Sequence, residues 1–494
     1  MGSCRRAGLT HHRVAIIGSG FSGLGMAIRL KQSGRDDFVI LERASDLGGT
    51  WRDNTYPGCQ CDVESNLYSY SFAPSPTWSR TYAPQAEIWE YLRACAERFG
   101  LGEHIRYQHE VQSAAWDQSA ARWRIDTTRG PFSADVLVAA VGPLSEPSIP
   151  AIPGLDEFPG PHFHSAAWNH DVDLTGKRVA VIGTGASAIQ VVPRIQPRVA
   201  QLHLFQRTPP WVLPHRDHPV RATARALYRA VPGWQRLVRA GVYWSRELFV
   251  RPFMKPRPNS LPERLARGHL EKQVADPVLR ARLTPRYAIG CKRVLISNDY
   301  YPAIQKPNVE LVTDDIREVR GRRIVTADGS EREVDVIVLA TGFRVTEMPF
   351  AQRVTGREGR RLADQWSGSP SAYRGTTVSG FPNLFFLLGP NTGLGHTSVL
   401  VMAEAQLRYV IGCLRHLERS GMAALEVRRE AQDAFNADVQ SRLRDTVWNA
   451  GGCRSWYLDP TGRNTTIWPG MTWPFVRQLR RFDPAAYRLY PRPA

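Results

Sequence analysis

Short, wholly apolar runs alternate along this chain with stretches whose apolar residues recur at helical spacing. The run Val14–Ile17 leads into Gly18-Ser-Gly20-Phe21-Ser-Gly23 and then a helical pattern. The run Val179–Ile182 leads into Gly183-Thr184-Gly185-Ala-Ser-Ala188 and a second helical pattern. Each reads as buried strand, glycine turn and helix, the opening of a βαβ unit. Two similar runs close the units, Asp135-Val-Leu-Val-Ala-Ala-Val-Gly142 and Asp335-Val-Ile-Val-Leu-Ala-Thr-Gly342. Strands without polar positions are those of a parallel sheet covered on both faces. The repeated opening and closing therefore predict an α/β chain with two Rossmann-like dinucleotide-binding domains.

The domains are discontinuous. Five prolines between Gly142 and Pro159 mark a linker between the units. Residues 208–286 interrupt the second unit with mainly helical pattern. Phe381-Pro-Asn-Leu-Phe-Phe-Leu-Leu-Gly389 reads as a strand and loop returning to the first sheet, followed by a helix over about Val399–Ser420. The expected division is 1–145 with 381–494, 146–210 with 287–380, and a helical insert at 211–286. Trp448–Trp473, rich in Trp, Gly, Thr and Pro, reads as a functional loop or lid rather than core.

The two glycine loops lead to residues of opposite charge. Twenty-four residues after its first glycine, the first unit reaches Glu42 and the second reaches Arg207. An acid there hydrogen-bonds a ribose hydroxyl, whereas arginine suits a 2′-phosphate. The contrast assigns FAD to the first unit and NADPH to the second. A solvated strand end accounts for either residue singly and poorly for both.

Charge adds little to this. The formal net charge is +18, but only six of the 64 basic residues are lysine and no basic run interleaves with aromatics, so no nucleic-acid partner is expected. The excess concentrates between Trp211 and Gly290, with 16 Lys/Arg against 5 Asp/Glu. Arg221, Arg225 and Arg229 recur there at helical spacing beside apolar residues. Such a helix can lie on a membrane, but the simpler reading is a subdomain with a solvated arginine face. No apolar stretch is long enough to span a bilayer. The first apolar run belongs to a glycine loop and leaves no room for a signal peptide, and Arg6 stands where a myristoylation signal wants Ser or Thr. A cytoplasmic protein is expected. Seven scattered cysteines without a Cys-x-x-Cys argue against a disulfide scaffold, a zinc ribbon and a dithiol reductase. Cys59 and Cys61 read as ordinary buried thiols, and no metal site is expected. No Gly-x-Ser-x-Gly follows a strand as a serine hydrolase requires, Gly18-Ser-Gly-Phe-Ser-Gly23 being a nucleotide loop.

Between the loops lie Gly48-Gly49-Thr50-Trp51, Tyr56-Pro-Gly58, Cys61-Asp62 and Tyr68. Adjacent glycines let backbone amides approach a pyrophosphate or a flavin edge, and the aromatics are suited to wall a flat ring. Phe158-x-Gly160-x-x-x-His164-x-x-x-Trp168 then precedes the second glycine loop. This segment resembles the fingerprint of type I Baeyer–Villiger monooxygenases, with Asn169 where that pattern has Pro or Asp. Gln206-Arg207-Thr-Pro, Lys292-Arg293, Ala340-Thr-Gly-Phe343, Gly389-Pro-Asn-Thr-Gly393 and Ser455-Trp456 extend the resemblance over nearly the whole chain.

The resemblance implies an FAD- and NADPH-dependent enzyme. NADPH would reduce FAD, O2 would add at the flavin C4a carbon, and the resulting peroxide would attack a ketone to give an ester or lactone. It implies that Arg293 stabilises the developing anion, that Asp62 orients Arg293, and that Lys292 joins Arg207 on the 2′-phosphate. Trp456 would contact the nicotinamide, and His164 would couple cofactor binding to domain movement. Phe21, Val111 and Thr184 join the glycine loops, Gly49, Thr50, Trp51 and Tyr68 as implied cofactor contacts. Met348, Phe350, Leu394, His396 and Trp448 are candidates for the substrate pocket. The alternatives are a sulfur- or nitrogen-oxygenating relative, an uncoupled NADPH oxidase and a non-enzymatic flavin module. No oligomeric state is legible in the chain.

Overall fold

The computed structural model describes residues 9–492. Cys4 and the myristoylation reading at Arg6 lie outside the described residues. The first sheet runs, in spatial order, Val354–Thr355, Val111–Asp117, Arg122–Thr127, Gly130–Ala139, Thr10–Ile17, Phe38–Leu41 and Ile105–Arg106, with Leu384–Phe386 also paired to Gly130–Ala139. The second is wholly parallel: Val309–Val312, Gln201–Phe205, Arg178–Ile182, Val336–Leu339 and His162–His164. The first sheet is mixed, with Arg122–Thr127 antiparallel to both its neighbours, and the halves of the central strands nearest the glycine loops, Val14–Ile17, Val136–Ala139, Val179–Ile182 and Val336–Leu339, are apolar and buried.

The duplication extends to single atoms. Gly18 N donates to Leu41 O at 2.9 Å, and Gly183 N donates to Phe205 O at 3.0 Å. Both glycines have positive φ, 96° and 113°. A Cβ on Gly18 would lie 2.7 Å from Ala140 O, and one on Gly183 would lie 2.4 Å from Ala340 O. Each loop is thus pressed against the strand that closes its unit. Helices Phe21–Gln32 and Ala186–Ile195 come next, capped by Gly20 and Gly185 with no side-chain cap on their first amides.

The insert forms helices Ala222–Ala230, Trp234–Leu248, Leu261–Gln273 and Pro277–Leu283. The helix anticipated near Val399 spans Val399–Ser420. One boundary moves. Residues 346–380, assigned by sequence to the second unit, pack on the first sheet. Val354–Thr355 pairs with Ala114–Ala115, and Ala351, Leu362, Trp366 and Val378 share a core with Trp123 and Phe381. The short elements between Gly342 and Phe381 lack a periodic pattern, so the crossover point is invisible in the sequence. The two crossing segments touch where Ser148 N donates to Gly342 O (2.8 Å) and Thr341 Oγ1 to Ser148 O (2.6 Å).

The third glycine of the first loop is the least replaceable. A Cβ on Gly23 would lie 1.9 Å from Gly18 O, a backbone atom held on both sides. Gly23→Ala should destabilise the protein by about 1–3 kcal/mol in chemical denaturation. An unchanged unfolding midpoint would contradict this packing.

Candidate active site

The first glycine loop opens on a cleft lined by Gly18, Ser19, Gly20, Glu42, Gly49, Thr50 and Val111. Gly49 has a positive φ of 53°, and a Cβ on it would lie 3.2 Å from Gly20 Cα. The two backbones therefore approach as closely as glycine allows, leaving a bare polar cradle at a helix N-terminus. Glu42 is buried at the end of strand Phe38–Leu41. Its Oε2 accepts from Ser19 N (2.9 Å) and Ser19 Oγ (2.6 Å), and its Oε1 from Ala44 N (2.9 Å) and Arg52 Nη1 (3.1 Å). Burial opposes its ionisation, but the Ser19 and Ala44 hydrogen bonds and Arg52 outweigh it, and the carboxyl titrates below its ordinary value. An anchored carboxylate at a strand end beside uncapped amides fits an adenosine diphosphate moiety. Not every expected contact faces this cleft. Gly23 is tucked under Gly18, and Phe21 packs edge-on against Tyr68 and Tyr70. Trp51 Nε1 donates to Tyr68 Oη at 3.1 Å, which fixes that pair as one aromatic unit beyond the glycines.

The second loop, Gly183 to Ala188, opens helix Ala186–Ile195. Ala188 is fully buried, so the helix–strand contact accommodates its methyl. Thr184 Oγ1 donates to Thr208 O at 3.1 Å, tying the loop to the segment after Arg207. Arg207 is exposed. Lys292 titrates below its ordinary value because it is partly buried and because the Arg207 charge repels its own. Two neighbouring cations suit a phosphate group.

The two sites are joined by the segment Tyr56–Asp62. Tyr56 Oη donates to Gln190 Oε1 (3.0 Å), and Gln190 Nε2 donates to Gln60 O (2.9 Å). A Cβ on Gly58 would lie 2.8 Å from Gln190 O. A loop of the first unit is thus clamped on the helix that begins at the second glycine loop. At its end Asp62 meets Arg293 in a two-pronged pair: Nε to Oδ2 at 2.6 Å and Nη2 to Oδ1 at 2.7 Å. Arg293 Nη1 points to Leu394 O at 3.4 Å. The pair is one-third exposed on the arginine side, 33% against 28% for the aspartate. Asp62 raises the Arg293 pKa further. Burial opposes Asp62 ionisation, but Arg293 outweighs it and lowers the carboxyl pKa. The guanidinium is therefore a permanent charge with one edge tied to Asp62 and Nη1 held only by a long bond to Leu394 O.

Tyr457 lies buried beside this pair. Its hydroxyl is pushed up to about 12 by burial and Asp62, against the opposing effect of Arg293. Nothing in its sequence context singles it out except adjacency to Trp456. Trp456 itself is exposed on the C-terminal loop, its ring 4.5 Å from that of Tyr457. In the linker, Phe158 is buried, and a Cβ on Gly160 would lie 2.4 Å from Asp335 O. His164 is buried at the crossing of the two units, 5.7 Å from the Phe343 ring. Its Nδ1 accepts from Ala166 N at 3.1 Å, its Nε2 has no partner, and burial lowers its pKa. The Trp168 ring meets Phe163 edge-on.

Several readings change. Met348 and Phe350, candidates for the substrate pocket, line the first nucleotide cleft instead. Leu394 does approach Arg293. His396 is paired with Glu247 at 3.2 Å, and Trp448 is buried against Gly395. Ser19 and Arg52, which complete the Glu42 network, carry no sequence signal of their own. Cys291 and Cys453 form a disulfide, although the scattered cysteines give no sign of pairing across 162 residues. The backbone explains it: Ala288 N donates to Gly451 O at 2.9 Å, which brings the two loops side by side. Cys59 and Cys61 are buried free thiols, and burial raises Cys59 to about 12, leaving it unreactive. Among the described residues no cluster suited to a metal ion occurs.

Residues 11–221 match the family described as FMO-like, flavin-binding monooxygenase-like. The chain is 55% identical over 489 residues to a Baeyer–Villiger monooxygenase of Streptomyces coelicolor, covering 98% of this chain and 94% of that one. It is 49% identical to a Baeyer–Villiger monooxygenase of Pseudomonas aeruginosa, covering 99% and 93%. The fold superposes on a closed crystal structure of cyclohexanone monooxygenase with a TM-score of 0.87 at 29% identity, covering 98% of this chain and 100% of that one. It also matches an oxidised steroid monooxygenase bound to NADP, with a TM-score of 0.85, 33% identity and the same coverage. With such similarity running the length of the chain, the protein belongs to the Baeyer–Villiger monooxygenases, within the flavin-binding monooxygenases.

Proposed function

We propose that this chain holds FAD on the first unit and NADPH on the second, and inserts one atom of O2 beside a ketone carbonyl to give an ester or lactone. The observation that carries this reading is the two-pronged Asp62–Arg293 pair at the junction of two nucleotide sites. When bound, reduced FAD supplies the activated oxygen and NADPH the hydride. The residues supply position and charge. Glu42 takes the ribose hydroxyl, and the Gly18–Gly23 loop with Gly49 cradles the pyrophosphate. Arg207 and Lys292 take the 2′-phosphate. Arg293 presents Nη1 to the negative charge that develops on oxygen, and Asp62 prevents the guanidinium from swinging away. Tyr457 stands buried beside the pair. Side-by-side assay of a ketone and a thioether, with product masses and hydrogen peroxide measured, tests the reading. Ester formation supports it. Sulfoxide without ester, or peroxide alone, contradicts it.

These roles carry three expectations. Arg293→Ala should leave NADPH-driven bleaching of the flavin largely intact while lowering ester formation by about 10²- to 10³-fold. Stopped-flow traces with reduction lost and oxygenation retained would remove Arg293 from this role. For Arg207→Ala, steady-state kinetics should show KM for NADPH raised about 10- to 100-fold and KM for NADH little changed. Equal changes for the two would show that Arg207 does not read the phosphate. Asp62 is held below its ordinary 3.8, so the stability it adds is present above that value and lost as pH falls through the lower one. Thermal scans should show Asp62→Asn less stable than the parent by a steady margin from about pH 7 to 5, closing below about pH 3. The same margin at both ends of that range would contradict the ionic role.

A further inference from the structure

Helix Trp234–Leu248 is built inside out. Its protein-facing side carries four polar side chains among the core-packed Val242 and Tyr243. Gln235 Nε2 donates to Asn66 Oδ1 at 2.9 Å. Arg239 Nη1 donates to the carbonyls of Asn66, Leu67 and Ser69 at 2.8, 3.0 and 2.8 Å. Arg246 grips Glu64, with Nη2 to Oε1 at 2.6 Å. Glu247 is fully buried and accepts from Thr472 N (2.8 Å) and Thr472 Oγ1 (2.7 Å) as well as His396. These bonds set the rotation of the helix and leave its apolar stripe outward. Trp234, Leu237, Trp244 and Leu248 stand on that face at 39%, 62%, 53% and 55% exposure. Leu227 and Val231 extend it from the preceding helix and turn. A helix lying against a water-soluble core has the opposite arrangement. The solvated arginine face anticipated for this insert is therefore only its rim.

The surroundings of the stripe select what covers it. Residues 219–260 contain nine Arg/Lys and one carboxylate, Glu247, which is buried. Arg221, Arg229, Arg236, Arg251, Lys255 and Arg257 are exposed. A second copy docked across a twofold axis would set this cationic rim against itself with no exposed acid of the segment to offset it. An anionic bilayer offers the complement: phosphates for the arginines, the headgroup boundary for the tryptophans, acyl chains for the leucines. The stripe is about 21 Å long at the helical rise, enough to lie in the interface plane. No described helix is long and apolar enough to cross a membrane. We infer that the outer face of Trp234–Leu248 is a docking surface for an anionic lipid bilayer. The inner face of the same helix holds Glu64 and the backbone carbonyls of Asn66, Leu67 and Ser69, a few residues beyond Asp62.

Co-sedimentation of the full-length, FAD-loaded protein with extruded vesicles tests the docking. Vesicles of phosphatidylcholine with one-quarter phosphatidylglycerol should bind it at low salt, and vesicles of phosphatidylcholine alone should bind it much less. Raising salt to about 1 M should weaken binding to the anionic vesicles. The combined variant Leu237→Gln, Trp244→Ser and Leu248→Gln should partition at least about tenfold less. Its thermal midpoint and its turnover of a small water-soluble ketone should match the parent, since all three side chains are exposed. Three results would overturn the inference: a parent protein that stays in solution with both vesicle types, a triple variant that binds as well as the parent, or a lipid-free parent dimer that the triple variant dissolves in sedimentation velocity.

Discussion

A single ion pair depends on both halves of the molecule. Asp62 belongs to a loop of the first unit, and Arg293 to the second. Tyr56 and Gln60 fasten that loop to the helix behind the second glycine loop, which brings Asp62 within reach of Arg293. A half-buried pair of this kind is weak as a source of net stability, since desolvation offsets much of the attraction. Its consequence is geometric. It fixes a permanent cation where the two units meet, and on the proposed roles both nucleotides would converge on that cation. Each glycine loop is pressed on its closing strand, so each nucleotide would be held at a set distance from the junction.

Much of this was legible in the chain itself. The apolar runs and glycine loops predicted two parallel-sheet units because a strand buried on both faces has no polar position and a loop touching a neighbouring backbone has no side chain. The placement of Glu42 and Arg207 just after the second strand of each unit was readable because a strand after a glycine loop has a fixed reach. Arg293 was different. As a lone Lys-Arg pair it resembles solvated surface, and only the resemblance of the surrounding segments distinguished it. Its partner across 231 residues is set by tertiary packing that no local pattern encodes.

The remaining misses have the same origin. The Cys291–Cys453 bond depends on two loops meeting far from either cysteine's sequence neighbourhood. Residues 346–380 joined the first sheet through the two-residue strand Val354–Thr355, too short to carry a period. The outward turn of the apolar stripe on helix Trp234–Leu248 was not legible, because amphipathic spacing shows two faces but not which one is buried. Here four polar side chains found partners on the protein, so the apolar face was left outside.

The account stands on the claim that the Asp62–Arg293 junction directs oxygen into a carbon–carbon bond next to a carbonyl. The most direct measurement is mass spectrometry of products formed by the FAD-loaded protein from NADPH, a ketone and ¹⁸O2. The prediction is an ester or lactone carrying one ¹⁸O atom, with the ketone's own oxygen retained and NADPH consumed in equal amount. Consumption of NADPH with hydrogen peroxide as the sole oxygen product, across a panel of linear, cyclic and aryl ketones, would contradict it.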